Sequence, residues 1–374
     1  MANCPQQVSI MEFVGSSTES LLPVLFSNGS GSSNRRMNRN RCHKRLVKDK
    51  LLPPLLAAMP ISVFQGLCDC PAVLPYYHLA SDEIVPHVRH LYSYRNVRQF
   101  TRDVEFFLKH YTPVALDDLI RYVKGRGKLP KNCFHLTFDD GFREIHDVVA
   151  PILRAKGVPA TFFLTTGFID NADMAHHCKF SLLVEHLAQI SSPNLRADLQ
   201  QILTENRVVG ESVESQMVSV RYTQRHLATE IATICEYDFG RYLASRQPYL
   251  SSDQIRSLLK QGFSIGAHSI DHPLYAELPL VEQIRQTVDS TRFLVEHFEL
   301  NYRAFAFPHS DTGVQEEFFD QLQAEQELEV AFGTAGMRRH FSPWNLERFG
   351  MEKTSLPAAQ IVRMNYLRGL RRRV

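Results

Sequence analysis

The sequence predicts an α/β fold in which strands and helices alternate around a parallel sheet, as an α/β barrel or a doubly wound sheet. Two observations predict it. Residues 134–164 form a strand–helix–strand unit: Phe134, Leu136 and Phe138 alternate with His135, Thr137 and Asp139, a helical stretch follows over about 143–156, and Val158 to Leu164 is a second apolar strand. Three more short apolar segments, 263–266, 304–307 and 330–332, recur with helical stretches between them, and Leu346 to Met351 is a last candidate strand. In such folds function sits at the carboxyl ends of the strands.

The 374 residues are 44% hydrophobic and 22% charged, an ordinary globular composition. A formal net charge of +2 gives no global basic field of the kind that argues for nucleic acid. Seven cysteines, odd in number and scattered, do not form a disulfide framework and lean towards a reducing compartment. Residues 1–34 are rich in Ser, Asn and Gly and lack the basic start and unbroken apolar core of a secretory signal. Arg35 to Lys50 form a basic cluster, read as a solvated extension or the basic side of a short helix in preference to a contact with an anionic surface, membrane or nucleic acid. Residues 51–67 are apolar, but Pro53, Pro54 and Pro60 interrupt them and the run is shorter than the roughly 20 residues that cross a bilayer. The expected location is cytoplasmic or membrane-associated. Nothing in the sequence sets an oligomeric state.

The expected organisation is a poorly ordered basic extension over 1–70 and a catalytic domain over 71–374. Pro75 to His78 is a strand-like segment ending in a histidine. Val97, Phe100, Val104, Phe107 and Leu108 keep helical spacing, and Leu116 opens another helix with Asp117 and Asp118 in its first turn. Gly125 and Gly127 stop that helix, and Gly157 closes the one at 143–156. Residues 168–250 show helical text and no strand, so they are expected to form a helical insertion, either a lid or a buttress. Ser251 and Gln254 have the spacing of a capping box.

The chemistry is concentrated in two places. Asp139-Asp140-Gly141 puts two carboxylates where a strand turns, so both can border one pocket. His268-Ser269-Ile270-Asp271-His272-Pro273 places two histidines four apart, and Pro273 disfavours a helix there, so a strand-end loop is expected. Two histidines and one carboxylate give three metal ligands with a position left for water, and the second carboxylate can serve as a base. That set suits hydrolysis of an amide or ester.

These residues carry a family resemblance. Thr137-Phe138-Asp139-Asp140-Gly141 resembles the first motif of the polysaccharide deacetylases, carbohydrate esterase family 4. His268-Ser269-Ile270-Asp271-His272 resembles the second, and Phe305-Ala306-Phe307-Pro308-His309 the third. The resemblance covers about 71–355, interrupted by 168–250. It implies a distorted (β/α) barrel with fewer than eight regular strands, and removal of N-acetyl groups from an amino sugar or polysaccharide. By position it implies Asp139 as general base and Asp140, His268 and His272 as ligands of a divalent metal, usually zinc. A backbone N–H near His309 would help to stabilise the oxyanion, with Thr137 and Ser269 in support.

The sequence also departs from the family. The arginine that braces the base is replaced by Ala306, and Arg348 is the candidate to supply that charge, ahead of Arg303. The usual third-motif aromatic is His309, and no last-motif histidine is evident after residue 350. The general acid is therefore open between His309, placed first, His340, His78 and water. Trp344 could border a sugar ring, although core packing is the commoner role. Three readings follow: a metal-dependent sugar N-deacetylase, the same fold acting on a non-sugar amide, and a non-catalytic carbohydrate-binding relative. The retained Asp139 favours the first two.

Overall fold

Helix α1 (Ile61–Leu67) opens the part of the chain seen in the computed structural model, which describes residues 59–67, 70–352 and 354–371. The segment 1–34 and the basic cluster at 35–50 lie outside the described residues. α1 buries Ile61 and Phe64, and Phe64 stacks on Tyr366 at 6.1 Å. The expected boundary at 71 is therefore too late: two apolar side chains one turn apart make 61–67 part of the core.

Strand β1 (Pro75–Tyr77) leads to α2 (Val97–His110), whose Asn96 and Gln99 form a capping box. β2 (Thr112–Pro113) precedes α3 (Leu116–Val123) and pairs with β3 (Cys133–Phe134) in a small parallel sheet. β4 (Leu136–Phe138) ends at the paired carboxylates. The helix expected over 143–156 is wound in two ways, as a π turn at Ile145–Val149 and then α4 (Ala150–Ala155). Pro151 has no N–H for an i→i−4 bond, and the wider winding lies immediately before it. β5 (Ala160–Leu164) completes the first crossover.

The insertion consists of α5 (His176–Leu187), α6 (Pro193–Glu205), α7 (Val213–Val218), α8 (Leu227–Ile234) and α9 (Phe239–Arg246). It has its own apolar core, with Phe180, Leu183, Leu199, Leu203, Met217, Leu227 and Ile231 buried together. The chain rejoins the barrel at α10 (Ser252–Lys260), capped by the box of Ser251 and Gln254. β6 (Ser264–Ala267), α11 (Leu280–Phe298), β7 (Ala304–Ala306), α12 (Glu316–Ala324) and β8 (Val330–Gly333) continue the alternation.

The last candidate strand is split into β9 (Asn345–Glu347) and β10 (Phe349–Gly350), and α13 (Ala358–Arg371) follows. β9 pairs with β8, while β10 pairs with β1 at the other end of the order β10-β1-β4-β5-β6-β7-β8-β9. Arg348 alone separates the two halves. One segment thus bonds to both edges, and the parallel sheet nearly closes on itself as a distorted (β/α) barrel.

Alternation along the strands sorts side chains between two layers. Phe163, Ala304, Ala306, Val330 and Phe332 form one cluster, whereas their neighbours Phe162, Phe305 and Ala331 join the large core that includes helical residues. Gly266 is required by this packing, since a Cβ there would lie 2.4 Å from Phe163 Cε1. Among the described residues no helix is long and apolar enough to cross a membrane.

Candidate active site

Asp139 is the last extended residue after β4, and its N–H donates to Tyr77 O at 2.9 Å. Asp140 turns into the left-handed region (φ 72°) and Gly141 stays there (φ 78°). This turn lets two adjacent carboxylates share one pocket, although along a straight strand they would diverge.

After β6 the chain forms a loop, as Pro273 implies. Ser269 and His272 both take positive φ, and Ser269 Oγ accepts the His272 N–H at 2.9 Å. Ser269 therefore holds the turn that aims His272. His268 is fixed by its other ring nitrogen: Nδ1–H donates to Ala306 O at 2.8 Å, which leaves Nε2 with a bare lone pair. The Nε2 atoms of His268 and His272 lie 3.4 and 3.0 Å from Asp140 Oδ1. Burial opposes the charge on Asp140, but the two imidazoles facing it hold its pKa well below the usual carboxylate range. Among the described residues no hydrogen bond satisfies Asp140 Oδ1, although the atom is buried. A carboxylate and two imidazole nitrogens converging on one point, one tautomer already set, fit a divalent cation with N and O preference. Tyr92 Oη donates to the other oxygen, Asp140 Oδ2, at 3.3 Å.

Arg348 enters the barrel from the break between β9 and β10. Its Nη1 and Nη2 bond Asp139 Oδ1 and Oδ2 at 2.7 and 2.9 Å, a bidentate grip, and Nη1 also reaches Thr137 Oγ1 at 2.9 Å. The guanidinium lies over the rings of Tyr76, Phe163 and Phe332, 5.0 to 5.9 Å from their centroids. Ala306 belongs to the same cluster as Phe163 and Phe332. The charge missing from β7 thus arrives in the same interior from another strand. Arg303 is exposed and precedes β7, at the end of the barrel away from this pocket.

The other candidates separate. His309 stands at the pocket mouth, with its ring 4.5 Å from that of His272. Trp344 precedes β9, and so lies at the opposite end, packed on Phe319 with Nε1–H donating to Gln323 Oε1. His340 lies near Asp311, Nε2 to Oδ2 3.8 Å, away from the carboxylate pair. His78 ends β1 beside the pocket. Its Nδ1 lies 2.6 Å from Glu352 Oε2, and its ring is 4.5 Å from Tyr92. Burial alone would lower the His78 pKa, but the Glu352 carboxylate outweighs it and raises it to about 9.

Two residues were not found from the sequence. His177, from the first turn of α5, sets its ring 4.8 Å from His272 and 5.7 Å from His309. Burial, then the charge of neighbouring imidazoles, lowers its pKa well below the ordinary histidine value. The only available signal was the pair His176-His177 inside the insertion. Glu352 is buried and also accepts the backbone N–H groups of His78 and Leu79. Its only mark was its place two residues beyond the last strand. The insertion is tied to the histidine loop as well: Tyr222 Oη donates to Asp271 Oδ2 at 2.6 Å, while Gln286 Nε2, from α11 of the barrel, donates to Asp271 Oδ1 at 2.7 Å.

Comparison with known proteins identifies the family. The family described as polysaccharide deacetylase matches residues 126–329, a span that holds both carboxylates and the histidine loop but not His78 or Arg348. A Staphylococcus epidermidis protein named poly-beta-1,6-N-acetyl-D-glucosamine N-deacetylase is 31% identical over 77 residues, 20% of this chain. That match spans 26% of the relative's length, well under two thirds of it. The solved structure of IcaB from Ammonifex degensii aligns with a TM-score of 0.50 at 16% identity, over 79% of this chain and 97% of that one. Streptococcus pyogenes deacetylase PplD in complex with acetate aligns at 0.49 and 15% identity, over 80% and 97%. With the family match spanning more than half its length, the chain belongs to the polysaccharide deacetylase family.

Proposed function

We propose that the chain is a metal-dependent hydrolase that removes the N-acetyl group from an amino sugar within a glycan. The observation that carries this reading is the convergence of His268 Nε2 and His272 Nε2 on Asp140 Oδ1, next to a second carboxylate held by Arg348. Family membership and the name of the S. epidermidis relative support the substrate class.

Asp140, His268 and His272 would hold the metal, and their mixed nitrogen and oxygen donors suit zinc. Bound there, it would polarise the acetyl carbonyl and lower the pKa of a water. Asp139 takes the proton from the attacking water, and its grip by Arg348 fixes the plane of the carboxylate before substrate arrives. By the family resemblance, a backbone N–H near His309 would stabilise the developing oxyanion. Acetate leaves, and the sugar nitrogen must gain a proton.

His78 is better suited to give that proton than His309, the first candidate from sequence. With Nδ1–H bonded to Glu352, Nε2 is the nitrogen left to donate, and a pKa near 9 keeps the ring charged at neutral pH. His309 is exposed as a residue, with its ring beside those of His177 and His272. Desolvation by these neighbours lowers its pKa from the ordinary histidine value. Among the described residues no carboxylate bonds its ring.

A pH profile tests the assignment. Turnover should fall as pH rises through about 9, where His78 loses its proton. Glu352→Gln removes the influence that raised the pKa, so the alkaline limb should move down by roughly 1–3 pH units. A kcat lowered evenly, with the limb unmoved, would assign Glu352 to structure alone. The same shift has a stability consequence: the His78–Glu352 contact is fully stabilising below pH 6.5 and is lost as pH rises through about 9.

The reading as a whole is tested by acetate release from N-acetylated glucosamine oligomers. The zinc-loaded chain should release acetate, a chelator should stop release, and added zinc should restore it. Release of a different acyl or amine product would move the assignment to a non-sugar amide. A zinc-loaded chain that binds the oligomers without release would leave a non-catalytic relative.

A further inference from the structure

At the carboxyl ends of β8 and β9, away from the Asp140 group, a second set of side chains converges. Asp311, His340 and Glu347 offer ligand atoms within 4.8 Å of one another. Gly333 permits the approach. A Cβ there would lie 2.3 Å from Asp311 Oδ2 and 2.7 Å from Glu347 Oε2, so both carboxylates rest on a bare α-carbon.

The charges on this pair are thinly matched. Asp311 accepts from Thr334 N at 3.2 Å and Asn345 Nδ2 at 3.1 Å, and Glu347 Oε2 accepts from Ala335 N at 2.7 Å. One cationic side chain is paired with them: Arg338 Nη2 makes an ion pair with Glu347 Oε1 at 3.5 Å, while His340 Nε2 is 3.8 Å from Asp311 Oδ2. Among the described residues, three buried oxygens on this short stretch, Ser342 Oγ, Asn345 Oδ1 and Glu347 Oε1, accept no hydrogen bond, and Glu347 Oε1 has only its ion pair with Arg338. Asn345 is 2% exposed, and its amide already touches Asp311. Amide oxygen and nitrogen exchange places by a half-turn, which would put Oδ1 against the carboxylate. That exchange is favourable only with a cation between them. Two adjacent carboxylates and unsatisfied oxygens in a buried place are costly without one.

We propose that Asp311, Glu347 and Asn345 form a second cation site for a hard divalent ion of the calcium or manganese class. Oxygen donors select such ions over zinc. His340 is a neighbour rather than a ligand: its Nδ1 accepts the Ser342 N–H at 3.1 Å, which leaves the proton on Nε2. The site joins two segments that matter to the pocket. Thr334 bonds Asp311 through its N–H and His309 O through its Oγ1, and Glu347 precedes Arg348. A bound ion would clamp the His309 loop to the break in the last strand.

The rival is a proton shared by the two carboxyl groups. Burial, and then the charge on Asp311, raises the Glu347 pKa to about 7. The full chain, stripped by chelator and titrated with manganese alone, separates the two. Elemental analysis should find two equivalents bound to the native chain. One should remain in Glu347→Gln and in Asp311→Asn, and one in His268→Ala. Calcium added to the zinc-loaded chain should raise its melting temperature, and neither carboxylate variant should respond. One equivalent in the native chain, or two retained in both carboxylate variants, would overturn the site in favour of the proton. Circular dichroism checks that each variant is folded, and either carboxylate variant alone suffices. This result is independent of acetate release, so the two proposals can fail separately.

Discussion

Asp139→Asn is expected to lower turnover by roughly 10²–10⁴-fold, the usual contribution of a positioned base. The substitution keeps the shape of the side chain and one oxygen to accept from Arg348. It removes the lone-pair basicity that takes the proton from water. Because Asp140, His268 and His272 are untouched, the variant should keep its metal. Metal content and kcat measured on the same sample separate loss of the base from loss of the ion. Turnover within about tenfold of the native chain, with metal retained, would remove Asp139 from the base role. By contrast, Asp140→Asn should lose metal and turnover together.

Arg348→Met is expected to destabilise the fold by about 3–5 kcal/mol, since it leaves the Asp139 carboxylate buried without its partner. Arg348 is fully buried and Asp139 nearly so, so water does little to relieve the unpaired charge. The loss should be read by urea denaturation. Turnover should fall too, because the carboxylate plane is no longer fixed. The pair gives a sharper test: Asp139→Leu with Arg348→Met should be less destabilised than the two single changes added together, since the double variant leaves no lone charge. Strict additivity would mean that the bidentate contact contributes no coupling. Even a stable double variant should release no acetate.

The catalytic geometry was legible where neighbours in sequence are neighbours in space. Asp139 and Asp140 are adjacent, and His268 and His272 share one loop, so two short stretches define the three proposed ligands and the proposed base. Arg348 was found by a weaker route, as a charge at a strand end when Ala306 could supply none. The split of its strand was not legible, because Leu346 to Met351 is one continuous apolar pattern whatever edge each half joins. His177 and Glu352 were missed for a common reason. Each is defined by a partner far along the chain, His272 for the one and His78 for the other. A lone histidine on a helix and a lone glutamate after a strand carry no local pattern. The helix at 143–156 was located correctly, but its winding depends on how Pro151 is accommodated, which periodicity does not report. Trp344 illustrates the converse: its type suits a sugar, but its place before a strand puts it at the wrong end of the barrel.

The split strand also orders events in time. β1 cannot meet its second neighbour until residues 349–350 exist, and His78 waits for Glu352, 274 positions later. Contacts of such long separation form slowly, since the loop between them must close first. On a ribosome, the carboxylates and histidines emerge well before Arg348, the partner of Asp139. The barrel therefore remains an open sheet with an unpaired Asp139 until residues 345–350 have been made and the last strand locks both edges.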